Sequence, residues 1–486
     1  MSNPIKKLLG QTAIYGLPSI LGRLLNFLLV PLYLLVFKQP SDYGVVSELY
    51  AWVAFLVVLL SFGMETAFFR FLQNKEDKNS VFANSFLTVI GVNVLFFLLL
   101  LTFNQNIADA LLFSDHNEYI ILLGAIVCVD ATSALPLAKL RAEERAVKFA
   151  TIQSISIVVN ISLNLILMLF FFNNDRPEEG VIFILSANLF SSLVKPIFLY
   201  KDFINIKYKF NPKLAKEMLL YAIPLMIGGL AGIVNETIDR ILIVHLLYDG
   251  QTAVSLLKAK AEVGIYSACY KLSMLITILI QAYRYAAEPF FFAQLKNEDK
   301  NKIYSKVMNY FVAAVCAVFL LVSLNLDLIK VFFIPNEAYW IGLKVVPILL
   351  IANVFLGVYF NQSIWYKLSN QTKFGAYIAV SGAFLTIAIN WIFIPLYGYM
   401  ASAWATLIVY AFQMVASYFL GQKYYPIKYN LRKFFLYLLS ALLLFFIARS
   451  FVFTEGSVLK FMINNFIILI YLGLIWFIEK PSLSKS

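Results

Sequence analysis

The sequence predicts an all-α polytopic membrane protein of about 14 transmembrane helices. They form two six-helix repeats and a C-terminal helical hairpin, with both termini in the cytoplasm. Three observations lead to this fold class. Apolar residues make up 61% of the 486 positions and charged ones 14%, with mean hydropathy +0.80. A soluble chain of this size has no core able to hide that much hydrocarbon. The apolar residues gather into fourteen runs, each long enough to cross a core of ~30 Å as a helix. The first runs then return in diverged form later in the chain.

Taken in order, Lys6-Lys7 precede span 1 (8–36). That run is too long for a signal peptide and carries Arg23, so it reads as a retained span. Spans 2 to 6 (43–68, 80–103, 118–138, 149–172 and 180–200) complete a first repeat, domain 1–205. A basic linker from Lys201 to Lys216, with Asn211-Pro212 inside it, leads to the second repeat. Domain 206–425 holds spans 7 to 12 (217–247, 263–287, 303–326, 341–366, 374–395 and 400–421). Spans 13 and 14 (434–453 and 457–478) have no visible counterpart and form an appended hairpin, 426–486.

The duplication rests on particular residues. Tyr15-Gly-Leu-Pro18 returns as Tyr221-Ala-Ile-Pro224, an offset of 221 − 15 = 206. Asp42-Tyr-Gly44-Val-Val-Ser47-Glu-Leu-Tyr50 returns as Glu262-Val-Gly264-Ile-Tyr-Ser267-Ala-Cys-Tyr270, an offset of 264 − 44 = 220. The difference of 14 residues predicts an insertion in a loop around Tyr248 to Ala261. Lys148-Phe149 with Asn164 is echoed by Lys373-Phe374 with Asn390, so spans 5 and 11 correspond. Six spans per repeat make the repeats parallel, related by an axis along the membrane normal, the arrangement of alternating-access carriers. Pro18 and Pro224 sit at matching depths. Each removes a backbone hydrogen bond, which makes a hinge or a static kink.

Charge sets the orientation. With the N-terminus inside, the cytoplasmic segments hold 25 Lys and Arg. The opposite loops hold five: Lys38, Arg176, Lys258, Lys260 and Lys330. This is the positive-inside asymmetry. The net charge of +12 is therefore topological, touching anionic membrane lipids, and does not indicate a nucleic-acid partner. Cys128, Cys269 and Cys316 lie within apolar runs, and His116 and His245 are far apart. No metal-ligand spacing, nucleophile elbow or phosphate-binding loop is present, so neither metal nor organic cofactor is expected, and no soluble catalytic domain fits the short loops.

The informative charges lie inside the spans. Lys344, Arg449 and Lys460 are close enough to span ends to reach headgroups. Arg23, Lys195, Arg240, Lys271 and Arg284 are deeper. Facing lipid at the bilayer centre, each would cost about 2.5–3.5 kcal/mol. They are expected to face a wet cavity or a carboxylate, although Arg284 and Lys195 also lie near the inner face. Candidate carboxylates are Glu48, Glu65, Asp130, Glu236 and Asp239. Glu236 precedes Arg240 by one turn, the favourable order for an intrahelical pair, which leaves Asp239 without an obvious local partner. A cationic, partly hydrated interior suits a phosphate or pyrophosphate group, Arg through its fork and Lys as a point charge.

Asp239-Arg240, followed by Val263-Gly264-Ile265-Tyr266-Ser267-Ala268-Cys269-Tyr270-Lys271-Leu272, resembles the polysaccharide-biosynthesis flippases, which include the O-antigen flippases. Tyr283-Arg284-Tyr285-Ala286-Ala287-Glu288-Pro289-Phe290 resembles the same group. They belong to the multidrug/oligosaccharidyl-lipid/polysaccharide exporter superfamily. The resemblance implies movement of an undecaprenyl-pyrophosphate-linked sugar or oligosaccharide across the bacterial inner membrane, for surface polysaccharide or lipopolysaccharide assembly. It implies a central cationic cavity to which Arg23, Arg240, Lys271, Lys195 and Arg284 contribute. Protons or sodium drive such a cycle, with Asp239, Glu236, Asp130 and Glu48 as coupling candidates and Pro18 and Pro224 as hinges. Glycan polymerase or glycosyltransferase machinery is the expected protein partner, and no enzymatic activity is expected. The alternatives are a multidrug/cation antiporter of the same superfamily and a membrane glycan polymerase.

Overall fold

A computed structural model describes residues 22, 24–74, 77–204, 209–294, 298–369, 371–451 and 457–483. Among these residues all regular structure is helical. In chain order the helices are α1 (Leu24–Val36), α2 (Pro40–Ser61), α3 (Met64–Asn74), α4 (Lys78–Thr102), α5 (Asn104–Ala110), α6 (Asn117–Ala142), α7 (Ala146–Ile166), α8 (Pro177–Ile204) and α9 (Pro212–Leu247). There follow α10 (Ala253–Ala293), α11 (Lys300–Leu324), α12 (Leu326–Phe333), α13 (Val346–Gln362), α14 (Ile364–Leu368), α15 (Lys373–Tyr397), α16 (Tyr399–Tyr424), α17 (Leu431–Ser450) and α18 (Val458–Leu483). A π-helical turn, Leu167–Phe171, extends α7, and a 3-10 helix, Glu337–Val345, leads into α13. Among the described residues thirteen stretches are long and apolar enough to span a membrane, and α1 is a shorter apolar helix. The chain is a multi-pass membrane protein.

The chain divides into two compact units, Met1–Val263 and Gly264–Ser486. This boundary does not coincide with the repeat boundary expected at 205/206. Compactness follows packing, and α9 packs on α2 and α3 within the first unit.

In the first unit, α2 opens with Pro40, whose missing N–H costs nothing in a first turn. It stops where Phe62 and Gly63 both turn left-handed, and α3 then restarts the same membrane pass. A Cβ on Gly63 would lie 3.2 Å from the Ala222 carbonyl oxygen of α9, so this break needs glycine for both conformation and space. Below it Phe68, Phe82, Leu135 and Met218 bury one apolar core shared by α3, α4, α6 and α9.

The connection between α9 and α10 differs from the sequence expectation. Residues 253–261 are not loop but the first turns of α10, leaving only Tyr248 to Thr252 as a turn. Asp249 shapes that turn by accepting hydrogen bonds from the Thr252 and Gln251 backbone N–H groups and the Thr252 hydroxyl. Those bonds hold its carboxyl below the usual carboxylate range. Ala259, Lys260 and Val263 are buried, so the inserted residues add a packed helical face rather than slack.

In the second unit, α13 packs against α16 and α11. Gly357 admits the Phe311 ring, where a Cβ would meet it at 2.7 Å. The terminal hairpin, α17 and α18, is docked rather than merely appended. Asn464 Nδ2 donates to the Leu324 carbonyl at the end of α11 (2.5 Å), and Lys460 Nζ pairs with Asp327 on α12 (2.5 Å). At the hairpin's other end, Lys433 Nζ and the Tyr437 hydroxyl both donate to the buried Glu479 carboxylate.

Asn164 on α7 and Asn390 on α15 make parallel contacts. Each amide donates to the carbonyl one turn earlier, and each Oδ1 accepts a hydroxyl from another helix, Tyr33 for Asn164 (2.8 Å) and Ser402 for Asn390 (2.7 Å).

Candidate functional site: charges held inside the membrane helices

Five segments of the first unit carry charge into its interior: α2, α6, α8, α9 and the start of α10. On α9, Asp239 Oδ1 accepts the Arg240 backbone N–H (2.9 Å) and Arg240 Nη1 (2.7 Å). Both side chains are buried, Arg240 at 8% exposure. Helical side chains lean toward the N-terminus, so the guanidinium folds back one turn and also donates to the Glu236 carbonyl oxygen (2.5 Å). The expected Glu236–Arg240 ion pair is therefore replaced. Asp239 supplies the carboxylate, Glu236 supplies main-chain oxygen, and the Glu236 side chain is exposed.

Asp130 on α6 accepts Lys195 Nζ of α8 at 2.7 Å. Asp130 also lies within electrostatic reach of Tyr50 on α2, whose hydroxyl accepts Asn188 Nδ2 of α8 (2.9 Å). Tyr33 stands in the same neighbourhood as Tyr43 and Tyr50, and Tyr43 in turn feels Arg240. A polar seam thus runs from Asn164 through three tyrosines to the Asp130–Lys195 pair. Tyr43 and Tyr50 are seven residues apart, on one face of α2. That spacing was readable from the sequence, but tyrosines near span ends read as interfacial anchors.

Glu48 is fully buried on α2, and neither carboxylate oxygen has a hydrogen-bond partner among the described residues. Lys260 is within its electrostatic reach. Read from the sequence as a loop residue, Lys260 is instead buried on α10, donating to the Leu112 carbonyl (2.9 Å) and lying 4.2 Å from the Phe113 ring centroid. Glu65 is accounted for structurally by Arg141 Nη2 at 2.6 Å.

Two predicted cations belong to the second unit. Lys271 is half-buried and engaged with neighbours. Arg284 sits 4.2 Å over the Phe360 ring, a cation–π contact that holds its guanidinium against α13 rather than loose in headgroups. Pro224 lies inside α9 with its ring exposed, removing the N–H that would bond residue 220. Arg23 and Pro18 lie outside the described residues. Among the described residues no group of three or more His, Cys, Asp and Glu could hold a metal ion.

Comparison with known proteins agrees with this arrangement of helices. The chain is 24% identical over 297 residues to an uncharacterized membrane protein of Haemophilus influenzae, covering 60% of this chain and 66% of that one. A second Haemophilus influenzae protein, named for the Lsg locus, is 22% identical over 298 residues, covering 60% and 68%. Among solved structures, lipid II flippase MurJ in an inward closed conformation superposes with TM-score 0.69 at 17% identity, covering 95% of this chain and 98% of that chain. An inward-facing multidrug resistance MATE family transporter of the MOP superfamily superposes with TM-score 0.65 at 15% identity, covering 85% and 97%. These likenesses show a shared fold. The family described as polysaccharide biosynthesis protein matches residues 8–295, more than half of the sequence, and the chain belongs to that family.

Proposed function

We propose that the protein is a flippase that moves a polyprenyl-pyrophosphate-linked sugar or oligosaccharide across the bacterial inner membrane by alternating access, for surface polysaccharide or lipopolysaccharide assembly. One observation carries this reading: Arg240, a permanent charge on a membrane-spanning helix, is buried against Asp239 instead of facing lipid. A guanidinium kept in a low-dielectric interior is suited to a diphosphate, because its planar fork matches phosphate oxygens two at a time. Lys195, Lys271 and Arg284 are the further cations assigned to the headgroup, with Arg23 from the sequence. The family supports polysaccharide synthesis, and the fold is shared with a lipid II flippase, a carrier of a lipid-linked cargo.

In this reading the acids that hold these cations also couple the cycle. A proton or sodium ion arriving at Asp239 or Asp130 competes with Arg240 or Lys195 for the carboxylate, which frees the cation for an anionic cargo. Glu236 and Glu48 are the other coupling candidates, Pro18 and Pro224 the bending points. Glycan polymerase or glycosyltransferase machinery would supply or take up the cargo.

Deletion in the native host tests the proposal. Lipid-linked glycan should accumulate facing the cytoplasm, and normal surface glycan in that strain would contradict it. Cation efflux by the purified protein without glycolipid transfer would instead favour a multidrug/cation antiporter.

A further inference from the structure

Outer loops of this chain are poor in Lys and Arg, yet four cations from four separate segments of the second unit line one cavity of about 410 Å³. They are Lys330 of α12, Lys344 of the 3-10 helix, Arg449 in the last turn of α17 and Lys460 in the first turn of α18. Asp327 is the one acid among the described lining residues, leaving a formal net charge of +4 − 1 = +3.

The Asp327 carboxylate is already shared. Lys460 Nζ donates to Asp327 Oδ2 at 2.5 Å, and Lys330 Nζ lies 4.0 Å from Asp327 Oδ1. Lys330, whose side chain is only 7% exposed, also sits 3.9 Å from the Trp340 ring centroid. Lys344 and Arg449 face the rings of Tyr399 and Phe445 and make no ion pair among the described residues. Concentrating like charges at one spot is unfavourable unless an anion completes it. Lys344, Arg449 and Lys460 could each have snorkelled separately toward water, but their helices turn them toward a common hollow.

We propose that this cavity binds the phosphate group of an anionic lipid of the outer leaflet. The cations lie at the helix ends that the positive-inside rule assigns to the outer face, at headgroup depth. Arg449 supplies a bidentate fork and the lysines point charges, a set suited to phosphate oxygens. The surrounding surface is apolar and exposed, with Leu328, Val331 and Phe332 on α12 and Leu459 on α18. That rim suits acyl chains and favours a lipid over a free ion. The site is independent of the cargo, and the proposed hairpin role is to hold a lipid at its docked outer end.

Full-length protein purified into nanodiscs of phosphatidylcholine doped with phosphatidylglycerol, then examined by native mass spectrometry, tests this. Phosphatidylglycerol should be retained in preference to phosphatidylcholine. Arg449→Gln combined with Lys344→Gln should weaken that retention by about tenfold or more, as expected for two lost surface cations. Lys423→Gln, an exposed cation near the opposite helix ends, should leave it unchanged. Lys344 and Arg449 are exposed, and the double variant is expected to fold. Equal retention of both lipids, or undiminished retention by the double variant, would overturn the proposal. Inorganic phosphate binding with the same residue dependence while lipid preference is absent would assign the cavity to a free anion and also overturn it.

Discussion

Neutralising Asp239 by Asp239→Asn isolates the interaction that keeps a guanidinium inside the first unit. One carboxylate oxygen accepts both the Arg240 backbone N–H at 2.9 Å and Nη1 at 2.7 Å. Asparagine retains an acceptor for the N–H, so the loss falls mainly on the charge-assisted bond, about 1.5–3 kcal/mol for a hydrogen bond to a charged group. Leaving the buried cation without its carboxylate raises the single-variant cost toward about 3–5 kcal/mol. A solvent-exposed pair would contribute only about 0.2–1 kcal/mol. A double-mutant cycle with Arg240→Gln measures the coupling of the pair, which includes the cost of the partner each single variant leaves uncompensated. Unfolding of the four purified proteins in detergent should therefore give a coupling energy of at least about 1.5–3 kcal/mol. A coupling below about 0.5 kcal/mol, the limit at which independent sites add, would refute the burial argument for Arg240.

Other outcomes follow from the same geometry. Lys195→Met should destabilise more than Asp130→Asn/Lys195→Met together, because the single change leaves a membrane-embedded carboxylate unpaired, and equal unfolding free energies would contradict that. Glu48→Gln should cost less than about 1 kcal/mol, since no hydrogen bond is lost among the described residues, while altering the dependence of transport on the proton or sodium gradient. Unchanged gradient dependence would remove Glu48 from the coupling candidates. Gly63→Ala should lower stability by about 1–2 kcal/mol through left-handed strain and contact with the Ala222 carbonyl, and a wild-type unfolding curve would show that the break can shift.

The helical architecture was legible in the sequence because a bilayer admits few alternatives for long apolar runs. The runs from 80–103 and 400–421 coincide closely with α4 and α16. Partnerships between side chains were less legible. Spacing along one helix favoured Glu236 for Arg240, whereas the folded-back guanidinium meets the adjacent Asp239, a preference that depends on rotamer and burial. Lys195 and Asp130 are 65 residues apart, and nothing in the local sequence joins them. The inserted residues before Ala261 read as loop because they fall between the apolar runs 217–247 and 263–287 and account for the change in repeat offset. Hydropathy is blind to a lysine buried by donating to a carbonyl and covering an aromatic ring. Lys344, Arg449 and Lys460 looked individually like snorkelling residues, and their convergence required the docking of the hairpin on α11.

Leaflet exchange of a fluorescent polyprenyl-diphosphate sugar in proteoliposomes tests whether the interior cations carry a diphosphate headgroup across the bilayer. The wild-type protein should move the probe across the bilayer, Lys209→Ala should match it, and Arg240→Ala and Lys271→Ala should abolish exchange while the proteins remain inserted. No exchange by the wild type, or exchange undiminished in both the Arg240 and the Lys271 variants, would contradict the assignment of interior cations to a diphosphate headgroup.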